Sequence, residues 1–188
     1  MESVKQLTTA ELEAGLDQVR QSPQDGGALE LIVRRPQTGE REILQVGELD
    51  KQVGLVGDNW QGRGSSRTAD GSAHPDMQLT LMNTRMVALA AQSKERWALA
   101  GDQLFVDLDL SVENLPPGTR LAIGSAVVEV TPVPHTGCAK FVERFGADAM
   151  KFVNSPVGKE LRLRGLNAKV VQPGTICAGD LVQKVTEL

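Results

Sequence analysis

The chain has 188 residues, enough for one domain with a sizeable core. A net charge of −4, with aromatics at 3% and no tyrosine, argues against nucleic-acid or membrane-surface partners, which call for a basic face or stacking platforms. No apolar run is long enough to span a bilayer, Met1–Gln6 lack the apolar core of a secretory leader, and two distant cysteines make no disulfide framework, so a reducing cytoplasm is the expected compartment.

Thr8-Thr-Ala-Glu11 has capping-box spacing, with Leu12, Leu16 and Val19 at helical intervals, and predicts a short helix to about Gln21. Residues 1–27 thus form an N-terminal helix and turn, and 28–188 the main domain. Ala28–Arg34 and Glu40–Val46 predict a hairpin about the turn Pro36–Gly39; Glu48–Val53 fits neither helix nor strand clearly. The loop Gln61–Gly71 is polar and glycine-rich and carries Arg63 and Arg67. Backbone donors and guanidinium forks there could cradle an oxyanion, although composition alone favours a flexible, solvated connection. It matches neither a phosphate-binding P-loop nor a dinucleotide fingerprint.

Met77–Leu81 predicts a strand, and Asn83 the cap of a helix through Ala91. Ser93 starts another short helix holding Trp97 and ended by Gly101. Leu104–Leu110 alternates apolar and acidic residues, which places Asp107 and Asp109 together on an outward, solvated strand face. Arg120–Ile123 and Ala126–Val130 predict a hairpin after the turn Pro116–Gly118. Phe141, Phe145, Ala149 and Phe152 have the spacing of a core-facing helix, broken at Ser155–Gly158. Leu161–Gly165 reads as extended, with Arg162 and Arg164 on one side; Ala168–Val171 and Leu181–Val185 are further strands. Many short strands with glycine-rich turns predict a mainly β fold, an antiparallel, closed or nearly closed barrel with a few short helices.

Chemistry points to Thr131–Gly146. Pro132 and Pro134 end the preceding strand, and Gly137 is expected to supply a φ closed to other residues. The loop then presents His135, Thr136 and Cys138 ahead of a helix. A thiol acts as its thiolate, which nearby cations favour; Lys140, Arg144 and His135 are the candidates. The competing reading is a small packed hydrophobe, which is how Cys177 is read. A zinc site on His135 and Cys138 would need further ligands from His74, Cys177 or carboxylates.

Gly54-Leu-Val-Gly-Asp58, Leu115-Pro-Pro-Gly-Thr-Arg-Leu-Ala-Ile-Gly124, Pro134-His-Thr-Gly-Cys-Ala-Lys-Phe141 and Arg164-Gly165 through Gly179-Asp180 together resemble the MOSC domain over about residues 28–185. This is the C-terminal module of molybdenum-cofactor sulfurases, also found alone in bacteria. The resemblance implies a β-barrel with one key cysteine, matching Cys138. That cysteine would carry sulfur as a persulfide, or ligate molybdenum of a bound pterin cofactor (molybdopterin) that reduces N-hydroxylated compounds. The alternative is a delivery module that passes cofactor or sulfur to a partner enzyme without turnover. A redox or sulfur-donor protein and a small-molecule substrate are the partners implied.

On this reading Cys138 is the metal ligand, and His135 and Lys140 tune it. Asp58, Arg63, Arg67, Thr136, Gly137, Arg144 and Arg164 are candidates for holding the cofactor, the arginines by charge and loop position. Asn59-Trp60 stand where many members carry a histidine. Nothing supports pyridoxal phosphate, because no lysine can be placed for a Schiff base.

Overall fold

In the computed structural model, which describes residues 4–185, strand sequences that alternate apolar and polar residues close a barrel around a leucine- and valine-rich interior. Residues 1–3 and 186–188, the outer ends of the two predicted segments, lie outside the described residues. The barrel strands are β1 (Gly27–Arg34), β5 (Leu79–Asn83), β6 (Leu104–Asp107), β7 (Arg120–Ile123), β8 (Ala126–Val130), β9 (Leu166–Gln172) and β11 (Leu181–Lys184). They pair in the ring β1-β11-β7-β8-β9-β5-β6-β1, seven strands in all, with β2 (Glu42–Leu44) extending β1 outside it. Strands β3 (Val46–Asp50), β4 (Gly54–Leu55) and β10 (Gly174–Cys177) form a separate small sheet.

The expected purely antiparallel pattern needs one correction: β5 and β6 run parallel, with Leu81 opposite Leu104 and Asn83 opposite Val106. Helix α4 (Thr84–Ala91) and a 3-10 helix (Lys94–Ala100) lie between these strands, and such a crossover returns the chain in the same direction. Asn83 caps α4 through its side chain, as its position predicts.

One barrel wall is covered on both faces. In β6, Leu104 and Val106 face the interior, while Phe105 faces an outer cluster of helices. In β1, Leu29 faces inward and Leu31, two residues on, faces outward. A bulge between them breaks the alternation, so that Ile32 points inward again and Val33 outward. The outer cluster takes Leu12, Leu16 and Val19 from α1 (Thr9–Ala14) and α2 (Leu16–Arg20). It also takes Phe141 and Phe145 from α5 (Ala139–Phe145), with Ala149 and Phe152 from α6 (Ala147–Asn154). The N-terminal helices therefore share a core with the segment that follows the cysteine.

Other expectations change. The predicted N-terminal helix is two short ones, with the Thr8–Glu11 capping box formed. Glu48–Val53 supplies most of β3. The break expected at Ser155 forms, since α6 ends at Asn154, but a further short helix follows: the Ser155 hydroxyl accepts from Gly158 N and caps α7 (Pro156–Glu160). Leu161–Arg164 is a turn rather than an extended segment, with Arg162 at φ +48°, so Arg162 and Arg164 reach different partners. Asp107 ends β6 and forms a two-point ion pair with Arg85, and Asp109, beyond the strand, accepts from Ser111 N. The two do not share a solvated face.

Candidate functional site

The cleft at Cys138 lies against the outer wall of the barrel. Leu79, Leu81, Leu166 and Ala168 point into the interior, so Thr80 and Asn167, directly opposite one another on β5 and β9, point out and floor it. A cysteine at the mouth of the barrel, the natural expectation for a loop leaving a strand, is not what forms.

The proline segment behaves as predicted. Thr131 N donates to Asn167 O as the last ladder bond of β8, and the chain then leaves the sheet at Pro132. Cys138 is the residue before α5; it is exposed, and its side chain caps nothing. Gly137 works differently from expectation, since its φ is not positive. An added Cβ there would lie 3.1 Å from Met150 Cγ and 3.2 Å from both Asn154 Nδ2 and Val153 Cγ2. Glycine is present because the loop presses on α6. Asn154, which no motif singles out, fixes that approach by accepting from Gly137 N at 3.0 Å. Asn154→Ala is expected to cost about 1 kcal/mol and to raise the alkylation rate of Cys138 several-fold; an unchanged iodoacetamide rate would show that the bond does not restrain the loop.

Two buried carboxylates organise the cations. The Gly54–Asp58 motif, whose glycines Gly54 and Gly57 take φ +73° and +84°, turns Asp58 beneath Arg35. Asp58 accepts from Arg35 Nε at 2.8 Å and NH2 at 2.7 Å, and Arg35 NH1 donates to Gly101 O. Asp58 does not line the cleft; Arg35 does. Asp102 likewise accepts from Arg164 NH1 at 2.7 Å and pairs with His135 Nε2 at 2.9 Å. Burial alone would raise the Asp102 pKa, but the charge of Arg164 and the bond to His135 outweigh it and hold it at about 2.

His135 is shifted down, by burial first and by the Arg164 charge second. It is therefore neutral at pH 7 and is not the cation that a sequence reading offers to Cys138. Because a carboxylate only accepts, Nε2 carries the proton and Nδ1 presents a lone pair.

Arg41, Arg63, Arg144 and Lys140 complete the lining, and among the described residues none of them has a carboxylate partner. A Cβ on Gly101, at φ +89°, would lie 3.6 Å from Arg41 NH2 and 3.7 Å from Arg144 NH1, so two guanidinium groups flank that glycine. The pKa of Arg41 is lowered by burial and then by Arg144 and Arg35; that of Arg63 is lowered by burial and then by Arg35. A local excess of positive charge thus sits in a protein of net charge −4. Of the predicted residues, Cys138, His135, Lys140, Arg63, Arg144 and Arg164 come together here. Arg67 stays exposed in its own loop, Thr136 lines a neighbouring cavity instead, and Gly137 packs against α6.

Among the described residues, three buried side-chain polar atoms find no hydrogen-bond partner: Asn59 Oδ1, Arg164 Nε and Asn167 Oδ1, and all three residues line this cleft. Asn167 donates Nδ2 to Val133 O, which leaves its side-chain Oδ1 bare. Among the described residues no three His, Cys, Asp or Glu side chains come together as a metal site. His74 caps the turn at Pro75, and Cys177 lies in the small sheet, so the zinc alternative finds no ligand set.

The family model described as MOSC domain matches residues 70–183. The chain belongs to the MOSC domain family. Members bind molybdenum cofactor or act in sulfur- and molybdenum-related chemistry. Solved MOSC-type folds resemble this one across 86% of its length. The YUAD protein from Bacillus subtilis aligns with a TM-score of 0.64 at 15% identity, over 97% of its own chain. YiiM from Escherichia coli aligns at 0.54 and 19% identity over 71% of its chain, and YiiM from Geobacillus stearothermophilus at 0.54 and 15% over 73%. No curated protein matches the sequence. The family match begins after Arg35, Arg41 and Arg63, so seven of the eighteen residues that line this MOSC cleft lie ahead of it. Among the described residues no helix is long and apolar enough to cross a membrane.

Proposed function

We propose that this MOSC protein binds the molybdenum cofactor in the Cys138 cleft and uses the Cys138 thiolate as the metal ligand or as a sulfur carrier. The observation that supports it is an exposed thiol on the rim of a cleft whose cations exceed its carboxylates. The donor set fits the cofactor. Arg41, Arg63, Arg144 and Lys140 suit its phosphate, the bare Asn167 and Asn59 oxygens and Arg164 Nε suit the polar edge of a pterin, and a thiolate suits molybdenum. When bound, the group would supply the redox centre for reducing N-hydroxylated compounds.

The chain's own residues have separable roles on this reading. Asp58 and Asp102 hold Arg35 and Arg164 in fixed orientations, so little side-chain entropy is lost on binding. His135, neutral and with Nδ1 bare, accepts a proton. Phe141, beneath the Arg164 guanidinium at 5.0 Å, closes the apolar side.

Cofactor and molybdenum content of purified wild type beside Cys138→Ser tests the reading. Cys138→Ser is expected to lose at least tenfold in loading while its unfolding free energy stays within about 0.5 kcal/mol, because the thiol is exposed. Equal loading of the two proteins would sink it. The exposure of the thiol also favours a delivery role. Sustained reduction of hydroxylaminopurine with an electron donor would mark an enzyme, and loading without turnover a carrier.

A further inference from the structure

A second cavity, of about 530 Å³, is walled by the proline segment itself, and His135 alone lines both it and the cleft. Its walls are largely apolar, with Pro132, Val133, Val153 and Leu166 among them, and among the described residues no aspartate or glutamate lines it. Two cations do, Lys159 and Arg162, and neither is in an ion pair among the described residues.

Arg162 carries the argument. Among the described residues it is one of two non-glycine residues with positive φ, at +48°, a conformation that costs energy and persists where the surroundings impose it. Its NH1 donates to Leu115 O at 2.6 Å and to Leu110 O at 3.3 Å, which anchors the guanidinium. Nε and NH2 make no hydrogen bond to any described residue. That edge is the planar fork that a carboxylate engages at two points. Burial lowers the Arg162 pKa, and no acid offsets it.

We propose that this cavity binds a small aromatic monocarboxylate, its ring against Pro132, Val133 and Val153 and its carboxylate on the Nε/NH2 edge of Arg162, with Lys159 adding charge. Both requirements come from the lining: apolar walls select a flat hydrophobic body, and unpaired cations without acids select one negative charge. The site is separate from the Cys138 cleft and does not depend on how that cleft is used.

Titration calorimetry with 2-naphthoate, and with 2-naphthalenemethanol as its neutral counterpart, tests it on the full chain. Naphthoate is expected to bind at least tenfold tighter than the alcohol. Lys159→Glu is expected to weaken it at least tenfold, and Cys138→Ser to leave it unchanged. Arg162→Lys keeps a cation able to hold the two carbonyls but removes the fork, and is expected to weaken binding without unfolding the protein. The chain has two histidines, so NMR can follow each; the His135 ring signals should move on titration and those of His74 should not. Absence of naphthoate binding, equal binding of the alcohol, or indifference to both Lys159→Glu and Arg162→Lys would each overturn the proposal.

Discussion

Asp102→Ala is expected to lower the unfolding free energy by about 3–5 kcal/mol, because it strands one cation in a buried site. The carboxylate is fully buried and serves Arg164 and His135 at once, and the Arg164 side chain is itself only 6% exposed. Removing the acid leaves that guanidinium with Ala100 O as its remaining hydrogen-bonded partner. Urea titration of the single variants Asp102→Ala and Arg164→Met and of the double variant measures the coupling; the double variant should lose less than the two singles added together. A loss below 1 kcal/mol for Asp102→Ala would mean that water, or a shift of α5, takes over the acid's role.

The same pair sets the response to pH. Asp102 titrates at about 2 in the folded protein against 3.8 as a free carboxyl, and His135 titrates below its ordinary 6.5. Both groups therefore bind protons more weakly folded than unfolded. Their contribution is complete above pH 6.5 and falls as the solution is acidified, first through the histidine range and then through the carboxylate range down to about 2. Unfolding midpoints should decline from pH 7 to pH 3.

Gly165→Ala is expected to cost about 3 kcal/mol, from a left-handed backbone and a steric clash acting together. Gly165 has φ +99°, and an added Cβ would lie 2.2 Å from Leu81 O and 3.4 Å from His135 Cδ2. The carbonyl belongs to β5 and cannot move without disturbing the β5–β9 pairing that floors the cleft. Gly118→Ala is the control: its φ is +93° and nothing lies within 4 Å of the added carbon, so it should show the backbone penalty alone, about 1 kcal/mol. Similar losses for the two variants, by denaturant titration, would show that β5 yields to the extra methyl group.

Local chemistry made much of the fold legible. Alternating apolar residues located β1, β7 and β8, and caps at Thr8 and Asn83 located two helix starts. Closure of a barrel followed from the number and shortness of strands. The parallel β5–β6 pair was not legible, since a strand's sequence does not say which way its neighbour runs. The bulge in β1 was hidden for a similar reason: one residue reverses the facing of all that follow, and Glu30 carries no signal of it.

Cys138, Lys140 and Arg144 could be picked out because they stand near a loop whose prolines and glycine mark it as special, and Arg164 through its charge and the Arg164-Gly165 motif. Arg35, Arg41, Asp102 and Asn167 could not. They come from distant turns and strand ends, and only packing brings them to one wall. Asp58 was found through its glycines but its pairing with Arg35 was not, because a motif shows that a carboxylate is placed and not what it grips.

The placement of the cleft on the outside of the wall separates two kinds of constraint. Interior leucines answer only to one another, while the lip is cut from three excursions around residues 35–41, 59–63 and 132–140 that leave the barrel and return. Each excursion can change length or charge without loosening a stave. A scaffold arranged in this way can take on new clients by trimming its rim, with the cask left watertight.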